Sequence, residues 1–309
     1  MTYQEPEFLP WDGRRVPLTF VAGYLGAGKT TAINEVLATT RRPIAVIVND
    51  VGEVDVDAAL IRRRTADTIE LSDGCVCCSS VDGFGAAFDT IRARPEPPDH
   101  IIVELSGIAE PKNVLPWGSS AGFILDGVVT VVAVDQLQPD GVPAWMRAHL
   151  EAQIAEGDLI VLTRTDEATP IETTAARSTI AALAPGAPVV DAGFGRREPG
   201  SLGRFLALGG HRDGSPGEVA GPTLFDLHET HTVPLDRTLT NNGLDALVST
   251  LDDHFADRVV RAKGVVELDD GSQMLVQRAG VRVSITQLTA TERVAGPTGI
   301  VVITVPEPG

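Results

Sequence analysis

One eight-residue stretch constrains this chain more than any other: GYLGAGKT, residues 23 to 30. It fits the pattern G-x-x-x-x-G-K-[ST], and it stands between the apolar run VPLTFVA and the helix-forming run TTAINEVLAT, as that pattern requires. Glycines let the backbone curl until successive N–H groups face inward, and a helix N-terminus adds about half a positive charge. Such a cradle suits phosphate oxygens. The spacing predicts a triphosphate site at Gly23, Gly26, Ala27, Gly28, Lys29, Thr30 and Thr31. Lys29 would reach the β- and γ-phosphates, and the Thr30 hydroxyl would ligate Mg²⁺. The plainer alternative is a glycine turn before a helix with an incidental Gly-Lys-Thr, and the flanks argue against it.

The surrounding pattern predicts the fold. VPLTFVA (16 to 22), IAVIVN (44 to 49), IIVEL (101 to 105), VVTVVAV (128 to 134) and DLIVLT (158 to 163) are nearly continuous apolar runs of strand length. Helical patterns lie at about 29 to 40, 82 to 93, 143 to 156 and 171 to 184. Alternation of this kind implies an α/β domain with a mainly parallel sheet and helices on both faces, and GYLGAGKT at its start makes the expected domain a P-loop nucleoside triphosphatase.

GGHRDGSPGEVAGP, 209 to 222, has five Gly and two Pro and reads as a linker. Beyond it come strand-like FDLHETHTV, a helix near 241 to 255, RVVRAKGVVEL, a DDGS turn, MLVQRAGVRVSITQL and IVVITV. This predicts a smaller α+β domain with a substantially antiparallel sheet. The expected organisation is an extension at 1–15, the nucleotide domain at 16–208, the linker at 209–222 and the α+β domain at 223–309.

Charge narrows the partners. The formal net charge of -17 over 309 residues repels polyanions, so nucleic acid and anionic membrane are excluded as expected partners. The start, MTYQEPEFLPWDGRR, lacks a basic segment followed by an apolar stretch, and no apolar run is long enough to cross a bilayer. A cytoplasmic location is expected.

A triphosphatase also needs a carboxylate at the end of a neighbouring strand. ELSGIAEP, 104 to 111, supplies Glu104, with Gly107 placed to offer its backbone N–H to the γ-phosphate. VNDVGEVDVD, 48 to 57, offers Asp50, Glu53 and Asp57 as a segment that positions water or Mg²⁺, or else as a solvated loop capping a helix. VLTRTDEA, 161 to 168, sits where a guanine-reading N-K-x-D would lie. Asp166 occupies the acidic slot and could accept two hydrogen bonds from a guanine edge, which adenine cannot supply. Thr163 and Arg164 take the Asn and Lys positions, and Arg can stack on a base face.

All three cysteines fall within GCVCCSS: Cys75, Cys77 and Cys78. A curled loop can converge three thiolates on one ion at about 2.3 Å and leave a fourth tetrahedral position open for exchange. Thiolates favour Zn²⁺ or Co²⁺ over Ca²⁺ or Mg²⁺. Inert buried thiols and a strained redox pair are the alternatives.

GYLGAGKTT, VNDVGEVDVD, GCVCC, ELSGIAEP and RAKG at 261 to 264 together resemble the CobW-like metallochaperone GTPases. The resemblance covers nearly the whole chain after residue 15. It implies a GTPase domain, a CobW C-terminal domain, and a metal site at Cys75, Cys77 and Cys78 whose affinity follows the bound nucleotide. It implies GTP and Mg²⁺ as cofactors and delivery of Zn²⁺ or Co²⁺ to a client metalloprotein. Catalytic roles would fall to Lys29, Glu104, Asp50 and Glu53. The same residues leave two other readings open, a nucleotide-gated metal buffer or sensor and a small-molecule P-loop kinase. Three thiols could serve one ion per chain or bridge two chains in a homodimer.

The remaining candidates read as structural. His228 and His231 would lie on opposite faces of a strand, His254 stands in an acidic helical pattern, and Arg62, Arg63 and Arg64 complement a helix end. No arginine stands out as a transition-state finger.

Overall fold

The computed structural model describes residues 10–40, 42–48, 68–70, 81–142, 144–192, 207–211, 229–235, 238–240, 243–244, 246–247, 249–250, 259–279, 282–289 and 299–304. They form two compact units, one around a seven-stranded sheet and one around a five-stranded sheet.

The first sheet is made of β1 (Val16–Ala22), β2 (Ile44–Val48), β3 (Thr68–Glu70), β4 (His100–Glu104), β5 (Phe123–Ala133), β6 (Leu159–Thr163) and β7 (Val189–Asp191), in the order β3-β2-β4-β1-β5-β6-β7. Every neighbouring pair is parallel, as the uninterrupted apolar runs require. Among the described residues, four helices alternate with the strands at Lys29–Thr39 (α1), Val81–Arg92 (α2), Ala144–Ala155 (α3) and Pro170–Leu183 (α4). These spans lie within a residue or so of the expected ones.

On one face, Phe84, Ala87, Phe88 and Ile91 of α2 pack on Val16, Leu18, Phe20, Ala22, Ile101 and Val103. Trp117 stacks on Phe84 at 6.0 Å, and Phe88 meets Phe123 at 4.9 Å. Trp11, within the expected extension, is part of this packing: it meets Phe123 edge-on and donates its indole N–H to Arg94 O. Alternate residues of β1 and β4, including Thr19, Val21, Ile102 and Glu104, face the other side, where Glu104 meets the start of α1.

β5 begins earlier than its apolar run and carries an irregularity. Leu18 pairs with Leu125 and Thr19 with Gly127, which leaves Asp126 as an extra residue. Freed from the ladder, Asp126 accepts the backbone N–H groups of Leu208 and Gly209, each at 3.0 Å. His211 Nδ1 lies 2.8 Å from Asp158 Oδ2. The first residues of the segment expected to be a linker, Gly209 to His211, thus dock on the first unit.

The second sheet has β8 (Glu229–Pro234), β9 (Val259–Glu267), β10 (Gln273–Ala279), β11 (Arg282–Gln287) and β12 (Gly299–Thr304), in the order β11-β10-β9-β12-β8, antiparallel throughout. One face buries Leu244, Ala262, Val266, Val276, Ile300 and Val302, and another cluster gathers Val265, Leu275, Leu288 and Val301. The DDGS turn closes β9 onto β10, with Asp270 Oδ1 accepting from Ser272 N at 2.8 Å. His231 is half-buried and bonded to Thr304, a structural role.

Candidate functional site

The site lies at the C-terminal edge of the parallel sheet, where β1 has β4 on one side and β5 on the other. Gly23 leaves β1 at φ +135, and a Cβ there would stand 2.1 Å from Val131 O of β5. Only glycine admits both the dihedral and the approach. The loop then turns at Gly26 and Gly28, whose φ values are +73 and +99, and Gly28 caps α1. Lys29 is buried, its Nζ donating to Gly23 O at 2.8 Å. The ammonium is thus held against the loop it would serve. Thr31 at the start of α1 is exposed.

The register Val21↔Glu104 brings the end of β4 to the root of this loop. Thr30 Oγ1 donates to Glu104 Oε1 at 2.9 Å, and Glu104 is 4% exposed. A hydroxyl and a carboxylate side by side are hard oxygen donors of the kind Mg²⁺ takes, so these residues fit that ion. Gly107 follows in a turn in which Ala109 N donates to Ser106 O. A Cβ on Gly107 would meet Leu25 N at 2.7 Å, so the turn rests directly on the phosphate loop.

The 163–166 loop also reaches the phosphate loop. Thr163 Oγ1 donates to Ala27 O at 2.7 Å. Arg164 takes a left-handed φ of 58, and its guanidinium donates to Gly26 O and, at 2.6 Å, to Asp135 Oδ2. The fork thus ties two loops together. Thr165 bonds Asp191 at the end of β7, and Asp166 is left exposed.

The expected switch residues Asp50, Glu53 and Asp57, and the cysteines Cys75, Cys77 and Cys78, lie outside the described residues. So do Arg62, Arg63, Arg64, His228 and His254. Among the described residues no cluster of three or more His, Cys, Asp or Glu could hold a metal ion. The described residues also include no helix long and apolar enough to cross a membrane.

Three residues of the site carry no motif. Asp135 lies in the short turn Val134–Leu137 that follows β5, and a carboxylate just past an apolar strand run was the signal that could have found it. Gln136 donates to Leu25 O at 2.9 Å and its Oε1 accepts from Ala133 N. Gln153 of α3 donates to Ala109 O at 2.8 Å and to Gly107 O at 3.3 Å. Neither glutamine could be found from sequence, because each serves a backbone carbonyl far away along the chain.

Burial sets the electrostatics. Tyr24, inside the phosphate loop, has its phenol pushed well above the ordinary value by desolvation. Away from the site, fully buried His100 lies 2.8 Å from Thr19 Oγ1, and burial lowers its pKa to about 4, Asp126 opposing the shift.

A phosphate loop opening α1, a carboxylate from the adjacent strand and a loop after β6 that braces the phosphate loop define a P-loop nucleotide-binding protein. The chain belongs to the CobW/HypB/UreG family: residues 17–191 match its nucleotide-binding domain. Residues 228–307 match the cobalamin synthesis protein cobW C-terminal domain. The chain is 33% identical over 182 residues to the zinc chaperone CobW of Sinorhizobium sp, across 49% of this chain and 51% of that protein. To the zinc chaperone CobW of Pseudomonas aeruginosa it is 30% identical over 237 residues, 65% of this chain and 63% of the relative. With the zinc-regulated GTPase metalloprotein activator 1 of Saccharomyces cerevisiae it shares 30% identity over 136 residues, 40% of this chain and 32% of that one. The matches thus span from about a third to under two thirds of these relatives' own lengths.

Proposed function

We propose that this chain is a GTP-hydrolysing metallochaperone. It would take Zn²⁺ or Co²⁺ on Cys75, Cys77 and Cys78 and pass the ion to a client metalloprotein, with metal affinity set by the bound nucleotide. The domain division at 209–222 belongs to the same proposal.

The observation that carries this reading is one of register. Val48 of β2 pairs with Glu104 on one side and with Glu70 on the other. At about 4.8 Å per strand, Glu70 stands about 10 Å across the sheet edge from Glu104. Glu70 is the last residue of β3, from which the chain enters the segment with the three cysteines. Glu70, the residue that precedes that segment, and the carboxylate bonded to Thr30 therefore share one edge of one sheet.

The chemistry divides among the residues as follows. Lys29 and the backbone N–H groups of residues 23 to 30 hold the phosphates, and the Gly107 N–H meets the terminal one. Thr30 and Glu104 would hold Mg²⁺, which supplies charge neutralisation at the phosphates when bound. Glu104, Asp50 and Glu53 orient the attacking water, while Thr163, Arg164 and Asp166 form the base loop. Asp166, exposed, is open to a guanine edge. Three thiolates leave one position of a tetrahedral ion for a client ligand. Linkage requires that metal tighten nucleotide by the factor by which nucleotide tightens metal.

The test is a Co²⁺ titration of the reduced, metal-free protein, with and without Mg²⁺ and a non-hydrolysable GTP analogue, followed by thiolate-to-cobalt absorption. The expected result is tighter binding with the analogue and loss of the band in Cys77→Ala. A band of equal affinity with and without nucleotide would leave a plain metal buffer. Absence of any band would remove the cysteines from the function altogether.

A further inference from the structure

Gln153 is 1% exposed, and its single side-chain amide donates to two carbonyls of one turn, Ala109 O at 2.8 Å and Gly107 O at 3.3 Å. Its backbone carbonyl accepts from Thr130 Oγ1 at 2.8 Å, so this part of α3 is fastened to the middle of β5. Just beyond the end of α3, Glu156 Oε2 accepts the Lys112 N–H at 2.8 Å, holding the chain that leaves the turn. On its other side the turn rests on Leu25, whose carbonyl is bonded by Gln136. The turn 106–109 is clamped between a helix and the phosphate loop.

Gly107 has no side chain with which to hold its own conformation. A peptide unit is planar and trans, so anchoring the Gly107 carbonyl fixes the Ile108 N–H on the opposite side and restricts Gly107 itself. A second anchor at the Ala109 carbonyl removes the remaining freedom of the turn. Electrostatic catalysis depends on donors fixed before charge develops, because reorganising them during reaction raises the barrier.

We propose that Gln153 is a positioning residue for nucleoside triphosphate hydrolysis. It acts through the Gly107 turn and touches neither nucleotide nor metal. The proposal rests on the reading of Gly107 as the donor to the terminal phosphate.

The test compares the full-length protein with Q153M, which keeps the side-chain volume and loses the amide, and with Q153E, which keeps size and polarity and loses the donor. GTP hydrolysis, affinities for GDP and a non-hydrolysable GTP analogue, and hydrogen exchange of the peptide covering 105–110 are measured. The expected result is kcat lowered by about tenfold to a hundredfold with KM changed by less than about threefold. GDP affinity should stay within about twofold, while the extra protection that the analogue gives the 105–110 peptide is lost. Unchanged kcat in both variants would overturn the proposal, as would a parallel loss of GDP and analogue affinity, which marks a mere structural brace. Wild-type protein settles the underlying reading separately. If the analogue protects 105–110 no better than GDP does, the Gly107 reading fails and this inference with it. If wild-type protection appears and persists in both variants, only the role of Gln153 falls.

Discussion

Thr30 Oγ1 donates to Glu104 Oε1 across 2.9 Å, although 74 positions separate the two residues. The contact follows from topology. Thr30 stands at the second position of α1, just past the phosphate loop that leaves β1, and β4 lies beside β1 with Val21 opposite Glu104. A hydroxyl that would bind Mg²⁺ is thereby kept on a carboxylate that would bind it too.

Replacing either partner should separate binding from turnover. Thr30→Ala is expected to weaken GTP affinity in the presence of Mg²⁺ by about tenfold or more, with a smaller change in chelator, because it removes a metal ligand. Glu104→Gln still accepts from Thr30 but lacks the charge, so turnover should fall by about a hundredfold with affinity largely kept. Titrating a fluorescent GTP analogue and following phosphate release checks both.

Arg164 links three parts of the site through Gly26 and Asp135. Charged hydrogen bonds contribute about 1.5–3 kcal/mol, and partial exposure of both side chains brings this pair nearer about 1 kcal/mol. Arg164→Ala should weaken nucleotide binding by about tenfold. A double-mutant cycle with Asp135→Ala should return a coupling of about 1 kcal/mol, and a coupling near zero would make the ion pair incidental.

Two glycines of the phosphate loop should respond differently to a methyl group. In Gly23→Ala the Cβ would stand 2.1 Å from a backbone oxygen, which the sheet cannot yield, so a loss of about 3 kcal/mol or more is expected. In Gly28→Ala the nearest atom is 3.6 Å away and only the left-handed φ opposes the change, for about 1–2 kcal/mol. Urea unfolding midpoints distinguish the two.

His100 makes stability depend on pH in the acid range. Burial lowers its folded pKa from 6.5 to about 4, so the unfolded chain binds the proton more readily. Stability is whole above pH 6.5 and falls as pH drops toward about 4, by about 3 kcal/mol over the window. Urea titrations at pH 7 and pH 5 should show the loss, and His100→Gln should flatten it.

The sheet and helices were legible in the sequence because parallel strands buried on both faces must be apolar throughout. GYLGAGKT was legible because a phosphate cradle needs glycine and lysine at fixed local spacing. The Asp126 irregularity was not, since it is a mismatch between two strands and neither strand records it alone. The capacity of Arg164 to stack is visible locally in its charge and planarity, whereas Gly26 O and Asp135 become its neighbours only after β5 and β6 pair.

Local chemistry, then, determined the parallel-sheet class, the phosphate loop with Lys29 and Thr30, and the carboxylate of Glu104 as a partner. Only the tertiary structure decided which residues hold that machinery in place: Gln136 on Leu25, Gln153 on the Gly107 turn, and Arg164 on Gly26 and Asp135. The reason is physical. A motif is a demand one stretch of backbone makes on its own residues, while a buried carbonyl takes its donor from whichever side chain the fold delivers, and that proximity is a property of the whole sheet.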